Sequence, residues 1–364
     1  MLTMFAAPGR YVQGRDATRE LGTVMAQVGL RGPALILASA RISCEMADRW
    51  QQSLGAVGID FTVHRFAGEC SQKEIDAGAA AATAVRANTL IAVGGGKALD
   101  TGRAVGAAAG LKMVMCPTLA SNDAPCSAVS VVYTESGEVQ RIMHHPRNPE
   151  LVLVDTTIIA NSPARFLVAG MGDALATWFE ARTVVEACKP NELGAAASMS
   201  AMALSRLCYD TLLADGPPAL AAVEAGVVTP AVERLIEANT LLSGLGFESA
   251  GLAVAHSVHN GLTMLGPTHD FLHGEKVAFG LLVQLAVEGR PSAEFREVVG
   301  FCREVGLPTR LADIGLSDVS DDDLQVVAER TVAPGETAHK EPFEVTPELI
   351  LDGIRAADSW AAAI

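Results

Sequence analysis

The chain has two textures. Up to Asp155, short unbroken apolar runs alternate with longer amphipathic stretches. Ala34–Ala38, Phe61–His64, Thr89–Val93, Met113–Cys116 and Leu151–Val154 are apolar without a period-two alternation. That is the pattern of strands buried on both faces of a parallel sheet. Between them, Ala17–Val28 and Ile75–Ala87 are Ala-rich with helical spacing, so the order predicts βαβ units and a doubly wound sheet. Val129–Tyr133 and Val139–Met143, joined across residues 134–138, predict a hairpin appended to that sheet. Beyond Asp155 the period becomes helical, with Asn161-Ser162-Pro163 as a start signal. Breaks are expected at Gly216-Pro217-Pro218, Gly266-Pro267 and Gly306-Leu307-Pro308. The expectation is an α/β domain over 1–160 and an all-α domain over 161–364.

Composition narrows the classes of function. Among 364 residues, 49% are hydrophobic and 19% charged, enough for two ordered cores. Lys and Arg number 27 against 42 Asp and Glu, a net charge of −15. Such a surface repels phosphate backbones and anionic membranes, so neither a nucleic-acid nor a membrane partner is expected. The start, MLTMFAAPGRY, lacks a basic stretch followed by an apolar one, and no apolar run is long enough for a membrane span. Seven cysteines without CxxC spacing fit reduced thiols, and a cytoplasmic location is expected.

Four of the eight histidines, His256, His259, His269 and His273, fall between Gly244 and Gly280. On a helix His256 and His259 share a face, and His273 follows the break at Pro267. Imidazoles supplied by consecutive helices suit a divalent transition metal. The plain alternative is a buried pair with satisfied hydrogen bonds. Gly94-Gly95-Gly96-Lys97 ends a strand and opens a helix, where backbone N–H groups, the helix N-terminus and a lysine favour a phosphate or pyrophosphate. It has neither G-x-G-x-x-G nor P-loop spacing. Pro117–Asp123 follows the next strand, at the edge where open α/β sheets bind ligands. In Gly170–Leu175, Asp173 is a carboxylate among small and apolar residues, able to cap a helix, pair with a base or bind a metal.

Taken together, YVQG at Tyr11, GGGKALDT at Gly94, PTLASNDAPCSAVSVVY at Pro117, LVLVDT at Leu151, GDALATWFEAR at Gly172, NTLLSGLGFES at Asn239, HSVHNG at His256, HGEKVAFG at His273 and GET at Gly335 make a long ordered match. On these motifs the chain resembles the iron-containing (group III) alcohol dehydrogenase superfamily, in its glycerol dehydrogenase branch. The resemblance implies a Rossmann-like dinucleotide domain followed by a helical-bundle domain, an architecture shared with dehydroquinate-synthase-like enzymes. It implies a catalytic metal in the cleft between them, held by Asp173, His256 and His273, and usually zinc in this branch, with Fe2+ as the other option. Asp123 would contact the polyol, and His259 would relay a proton or support the ligands. Gly94, Gly95, Gly96 and Lys97 would hold the pyrophosphate of NAD, with Asp100, Thr118, Ser121, Ser127, Val129 and Tyr133 lining the rest. The implied reaction is hydride transfer between a small vicinal diol, glycerol first, and the nicotinamide. Homo-oligomers, often octamers, are usual in the family.

One position departs from the family. After the first strand of the pattern, where the family carries an aspartate that accepts from the adenosine ribose, this chain has Ser39, followed by Arg41. Repulsion of a 2′-phosphate is lost there and an arginine is gained, so NADP stays open beside NAD. Another diol or an amino alcohol is the alternative substrate. A lyase of the dehydroquinate-synthase type and a sensor without turnover are the alternative activities.

Overall fold

The computed structural model describes residues 1–134 and 138–364. The chain folds into two compact units. One comprises Ala6–Pro163 and Ala222–Leu241, the other Met1–Phe5, Ala164–Ala221 and Leu242–Ile364.

The first unit holds, in chain order, β1 (Tyr11–Gly14), α1 (Leu21–Gln27), β2 (Ala34–Ala38), α2 (Ala40–Gly55), β3 (Phe61–Arg65), α3 (Gln72–Ala84), β4 (Thr89–Gly94), α4 (Gly96–Ala109), β5 (Lys112–Pro117), β6 (Val129–Tyr133), β7 (Val139–His144), β8 (Leu151–Asp155) and α5 (Thr156–Ala160). Six strands form a parallel sheet in the order β1-β8-β5-β4-β2-β3. Every residue of β2, β4 and β8 is buried, which is why those runs show no alternation. Fully burying one such Leu or Ile stabilises by about 1.5–3 kcal/mol, so these three runs anchor the unit. The chain leaves β2 toward β3 on one side and leaves β4 toward β5 on the other. The carboxyl ends of β2 and β4 therefore flank a topological switch point, the ordinary ligand crevice of open parallel sheets.

Two expectations need correction here, and one strand was not expected. Tyr11–Gly14 is an edge strand parallel to β8, too short and too polar to stand out in the pattern. The hairpin β6–β7 is not appended to the large sheet but forms a separate two-stranded one. Most of its expected connection, residues 135–137, lies outside the described residues. Ala17–Val28 is not one helix, because a 3-10 turn at Ala17–Glu20 precedes α1.

The remaining helices are α6 (Ala164–Glu186), α7 (Met199–Glu224), α8 (Pro230–Glu237), α9 (Ser243–Ala250), α10 (Val254–Leu262), α11 (His273–Val287), α12 (Ser292–Val305), α13 (Asp321–Thr331) and α14 (Pro347–Ala363). Of these, α8 belongs to the sheet unit, where Thr156 Oγ1 and Gln13 Nε2 donate to the Glu233 carboxylate at 2.7 and 2.9 Å. The break expected at Gly216-Pro217-Pro218 is absent: α7 runs through both prolines. Two missing amide hydrogens cost helix stability, yet neighbouring buried residues such as Leu212 and Ala219 hold the helix in the core. Gly306, at φ 80°, ends α12, and Gly266-Pro267 forms a 3-10 turn between α10 and α11. Among the described residues no helix is long and apolar enough to cross a membrane, and all seven cysteines are free.

Candidate metal centre and dinucleotide loop

The helical unit brings Asp173, His256 and His273 together from three helices. Glycine permits the approach. A Cβ on Gly172 would lie 2.3 Å from the Gly274 carbonyl oxygen, and one on Gly274 only 1.8 Å from that of Ala169. Both distances are sub-van der Waals, so α6 and α11 can cross this closely only without those side chains. The crossing sets Asp173 beside His273: Asp173 Oδ1 is 3.1 Å from His273 Nε2 and 3.3 Å from His256 Nε2. One donor atom from each residue lies within 4.8 Å of the other two. Asp173 is fully buried, while the His256 and His273 side chains are 12% and 27% exposed, so the cluster has a floor and an open side.

The charges explain how such a site is tolerated. Burial pushes the Asp173 carboxyl up, but the charge on His273 and hydrogen bonds from both imidazoles outweigh it and hold it well below the usual carboxylate range. Burial opposes a charge on His256, but Glu180 and Asp173 outweigh it and raise that imidazole well above its ordinary value. The carboxylates thus draw positive charge to this spot, and a divalent cation on one oxygen and two nitrogens would supply it. The donor set fits a zinc-type ion with a coordination position left for substrate.

Each imidazole is held from behind. His256 Nδ1 donates to Glu180 Oε2 at 2.7 Å, and Glu180 Oε1 accepts the backbone N–H groups of Ala253 and His256 at 2.9 and 3.1 Å. Sequence reasoning missed Glu180. Its signal was present, since it lies seven residues after Asp173, two turns along the same face of α6. Glu180→Gln preserves an acceptor for the two N–H groups but presents an amide N–H to His256 Nδ1, which drives the ring toward the tautomer that cannot ligate through Nε2. Divalent metal affinity, measured by chelator competition, is expected to fall about 10–100-fold; unchanged affinity would refute this role. His259 is buried, and burial first, then the charges on His273 and Lys276, hold its pKa well below the ordinary value. Its Nε2 lies 3.0 Å from His273 Nδ1. His269 takes no part; its Nε2 donates to the Thr263 carbonyl oxygen at 2.9 Å.

The dinucleotide candidates lie in the sheet unit. Ser39 follows β2 and caps α2, its Oγ accepting from Ile42 N at 3.4 Å. Gly94–Lys97 carries β4 into the N-terminus of α4. Thr118 N donates to the Gly94 carbonyl oxygen at 2.9 Å, tying the loop after β5 to the glycine turn. A Cβ on Gly96 would meet Asn122 Nδ2 at 2.2 Å, so the loop carrying Ser121 and Asp123 leans directly on that glycine. Lys97 Nζ ion-pairs with Glu69 Oε2 at 2.6 Å and stands 5.4 Å over the Tyr133 ring. Asp100 is committed inward: Oδ1 accepts from Arg103 Nη1 at 2.7 Å and Oδ2 from Val131 N at 3.1 Å. The fully buried Arg103 also donates to the carbonyl oxygens of Val129 and Ala124, bracketing Ser127. Asp123 and Ser127 are themselves buried.

A groove of about 800 Å³, lined in part by Arg165, Glu275, Arg303 and Arg310, opens elsewhere in the helical unit. Its guanidinium groups are already engaged by Glu275, by the Ala361 carbonyl oxygen and by Asp358. Its position carries none of the chemistry above.

The iron-containing alcohol dehydrogenase family matches residues 8–156. The chain is 48% identical over 352 residues to a glycerol dehydrogenase of Pseudomonas putida, covering 97% of this chain and 96% of that one. It is 46% identical to a glycolaldehyde reductase of Halobacterium salinarum, over 100% and 99% of the two chains. The crystal structure of glycerol dehydrogenase from Schizosaccharomyces pombe superposes with a TM-score of 0.95 at 37% identity, covering 99% of this chain and 91% of that one. This chain belongs to the glycerol dehydrogenase family of the iron-containing alcohol dehydrogenase superfamily.

Proposed function

We propose that this chain is a metal-dependent dehydrogenase that oxidises glycerol, or a small diol like it, with NAD as hydride acceptor. The observation that carries the reading is the near end-to-end similarity to glycerol dehydrogenases, in a chain whose own fold gathers Asp173, His256 and His273. A divalent cation there would supply Lewis acidity toward a substrate hydroxyl oxygen, and the nicotinamide would accept the hydride. The protein's part is placement. Asp173 provides the negative charge, His256 and His273 the nitrogen donors, and Glu180 the tautomer of His256. Gly94–Lys97 and the start of α4 offer N–H groups and a cation to the pyrophosphate. Thr118, Ser121, Ser127, Val129 and Tyr133 form the wall beside it, and Asp123 would orient a second substrate hydroxyl. We assign Asp100 to holding β6 rather than to touching the nucleotide, since both of its oxygens are engaged. We assign His259 to supporting His273 rather than to proton relay, since its Nε2 is taken by that ring. Zinc is the metal we favour, and a homo-oligomer in the cytoplasm the setting.

For the cofactor, NAD is favoured over NADP. Arg41 would be the group to attract a 2′-phosphate, but its Nη1 is already bound to both Glu45 oxygens, at 2.9 and 3.1 Å. A second substrate reading, reduction of a small hydroxyaldehyde, draws on the glycolaldehyde reductase similarity and uses the same site in reverse. Initial rates with glycerol, 1,2-propanediol and glycolaldehyde, each with NAD(H) and NADP(H), on protein of measured metal content, test both. Appearance of NADH with glycerol supports the reading. No net change in reduced cofactor would favour a lyase, and a tenfold preference for NADP would overturn the cofactor assignment.

A further inference from the structure

The motif GET at Gly335 has no place in the reading above, yet its glutamate connects to the metal centre. Glu336 Oε2 accepts from Asn260 Nδ2 at 2.9 Å, and Glu336 Oε1 accepts from Arg330. A carboxylate only accepts, so the amide nitrogen of Asn260 must face Glu336 and its oxygen must face the other way. That oxygen lies 3.1 Å from His259 Nδ1, which must then carry the proton. His259 Nε2 is left with its lone pair, 3.0 Å from His273 Nδ1, and takes the hydrogen of that ring. A cation on the side of Asp173 would then replace the hydrogen that His273 Nε2 shares with Asp173 Oδ1 at 3.1 Å, and Nε2 would be the ligating nitrogen. Each donor in this chain determines the next.

We propose that Asn260 and Glu336 are positioning residues that fix the ligating tautomer of His273 through His259, the counterpart of what Glu180 does for His256. The inference rests on the reading of His273 as a metal ligand. A further observation supports it. The segment bearing Glu336 is tied to α10: Thr337 Oγ1 donates to the Ala253 carbonyl oxygen at 2.7 Å, and Ala338 N donates to Ser257 Oγ at 2.8 Å. Glu336 is therefore held in register with Asn260 rather than meeting it as a free surface group. Reversing one link would put hydrogen on His273 Nε2, where it would oppose a cation.

The test is Zn2+ affinity of the full-length protein by chelator competition, with melting of each metal-free variant followed in parallel. Asn260→Ala and Asn260→Leu remove the acceptor for His259 Nδ1 and are expected to weaken Zn2+ binding by about 10–100-fold. The double variant N260D/E336Q reverses the donor between 260 and 336 but restores the acceptor toward His259, at the same total charge. It is expected to bind Zn2+ within about threefold of the parent, a rescue that loss of packing would not give. His273→Ala separates the two levels of the argument. If it leaves affinity unchanged, the metal-site reading itself fails. If it abolishes binding while both single Asn260 variants bind as tightly as the parent, or while the double variant binds as poorly as they do, the tautomer chain is overturned.

Discussion

His273→Ala is expected to strip the protein of its metal and lower the turnover of glycerol by about a thousandfold or more. The site has three protein donors within 4.8 Å of one another, and removal of one leaves Asp173 and His256 with too few contacts to retain a divalent ion through dialysis. A metal's Lewis acidity toward a reacting oxygen contributes several kcal/mol, and each 1.4 kcal/mol is about tenfold in rate, which sets the size of the loss. His256→Ala should behave alike. NAD affinity, read by nicotinamide fluorescence quenching or calorimetry, should change little, because the glycine turn at Gly94–Lys97 belongs to the other unit and keeps its own contacts. Metal content after dialysis and initial rate are the two measurements. A variant with full metal content and full activity would eliminate Asp173, His256 and His273 as the centre.

Glu341→Gln is expected to make the protein more stable at neutral pH and to flatten the dependence of its stability on pH. Glu341 is 2% exposed, and among the described residues neither carboxyl oxygen meets a partner in good hydrogen-bonding geometry, the Val254 N–H offsetting its burial only in small part. Burial, then the negative charges of Glu288 and Glu180, push its pKa up to about 9. An unfolded chain releases that proton near the ordinary value of 4.5. Between those two pH values the folded state holds a proton that the unfolded state has lost, so stability falls as pH rises through this interval. Below it the group makes no difference, and above about 9 the full cost is present. Linkage at about 1.4 kcal/mol per pH unit gives a loss of up to about 3 kcal/mol between pH 5 and pH 7, which glutamine, without the titrating proton, avoids. Urea or thermal unfolding of parent and variant at pH 5, 7 and 9 measures it. Parallel curves for the two proteins would show that Glu341 is ionised in the fold.

What was legible in the sequence was whatever depends on local pattern. The buried strands β2, β4, β5 and β8 were visible because a strand covered on both faces needs an unbroken apolar run, and their positions agree with the runs within a residue or two. The glycine turn was visible as three glycines after a buried strand, and what only the fold shows is that Asn122 occupies the place of a Cβ on Gly96. β1 was invisible, since four half-buried residues on a sheet edge leave no periodic trace. The prolines of α7 misled because helix breaking is a local tendency that tertiary packing overrides.

By itself, then, the sequence determined the α/β and all-α textures, the family, and the residue types able to hold a metal and a pyrophosphate. These follow from neighbours along the chain and from ordered motifs. The tertiary structure decided which of the four clustered histidines meet. His256 and His273 converge on Asp173 because two facing glycines let α6 and α11 cross, and that distance is set between segments 100 residues apart. It also chose the hydrogen-bond partners of Glu180, Asn260 and Glu336. A hydrogen-bond partner is chosen by three-dimensional proximity, and no spacing along the chain encodes which nitrogen of an imidazole will carry its proton.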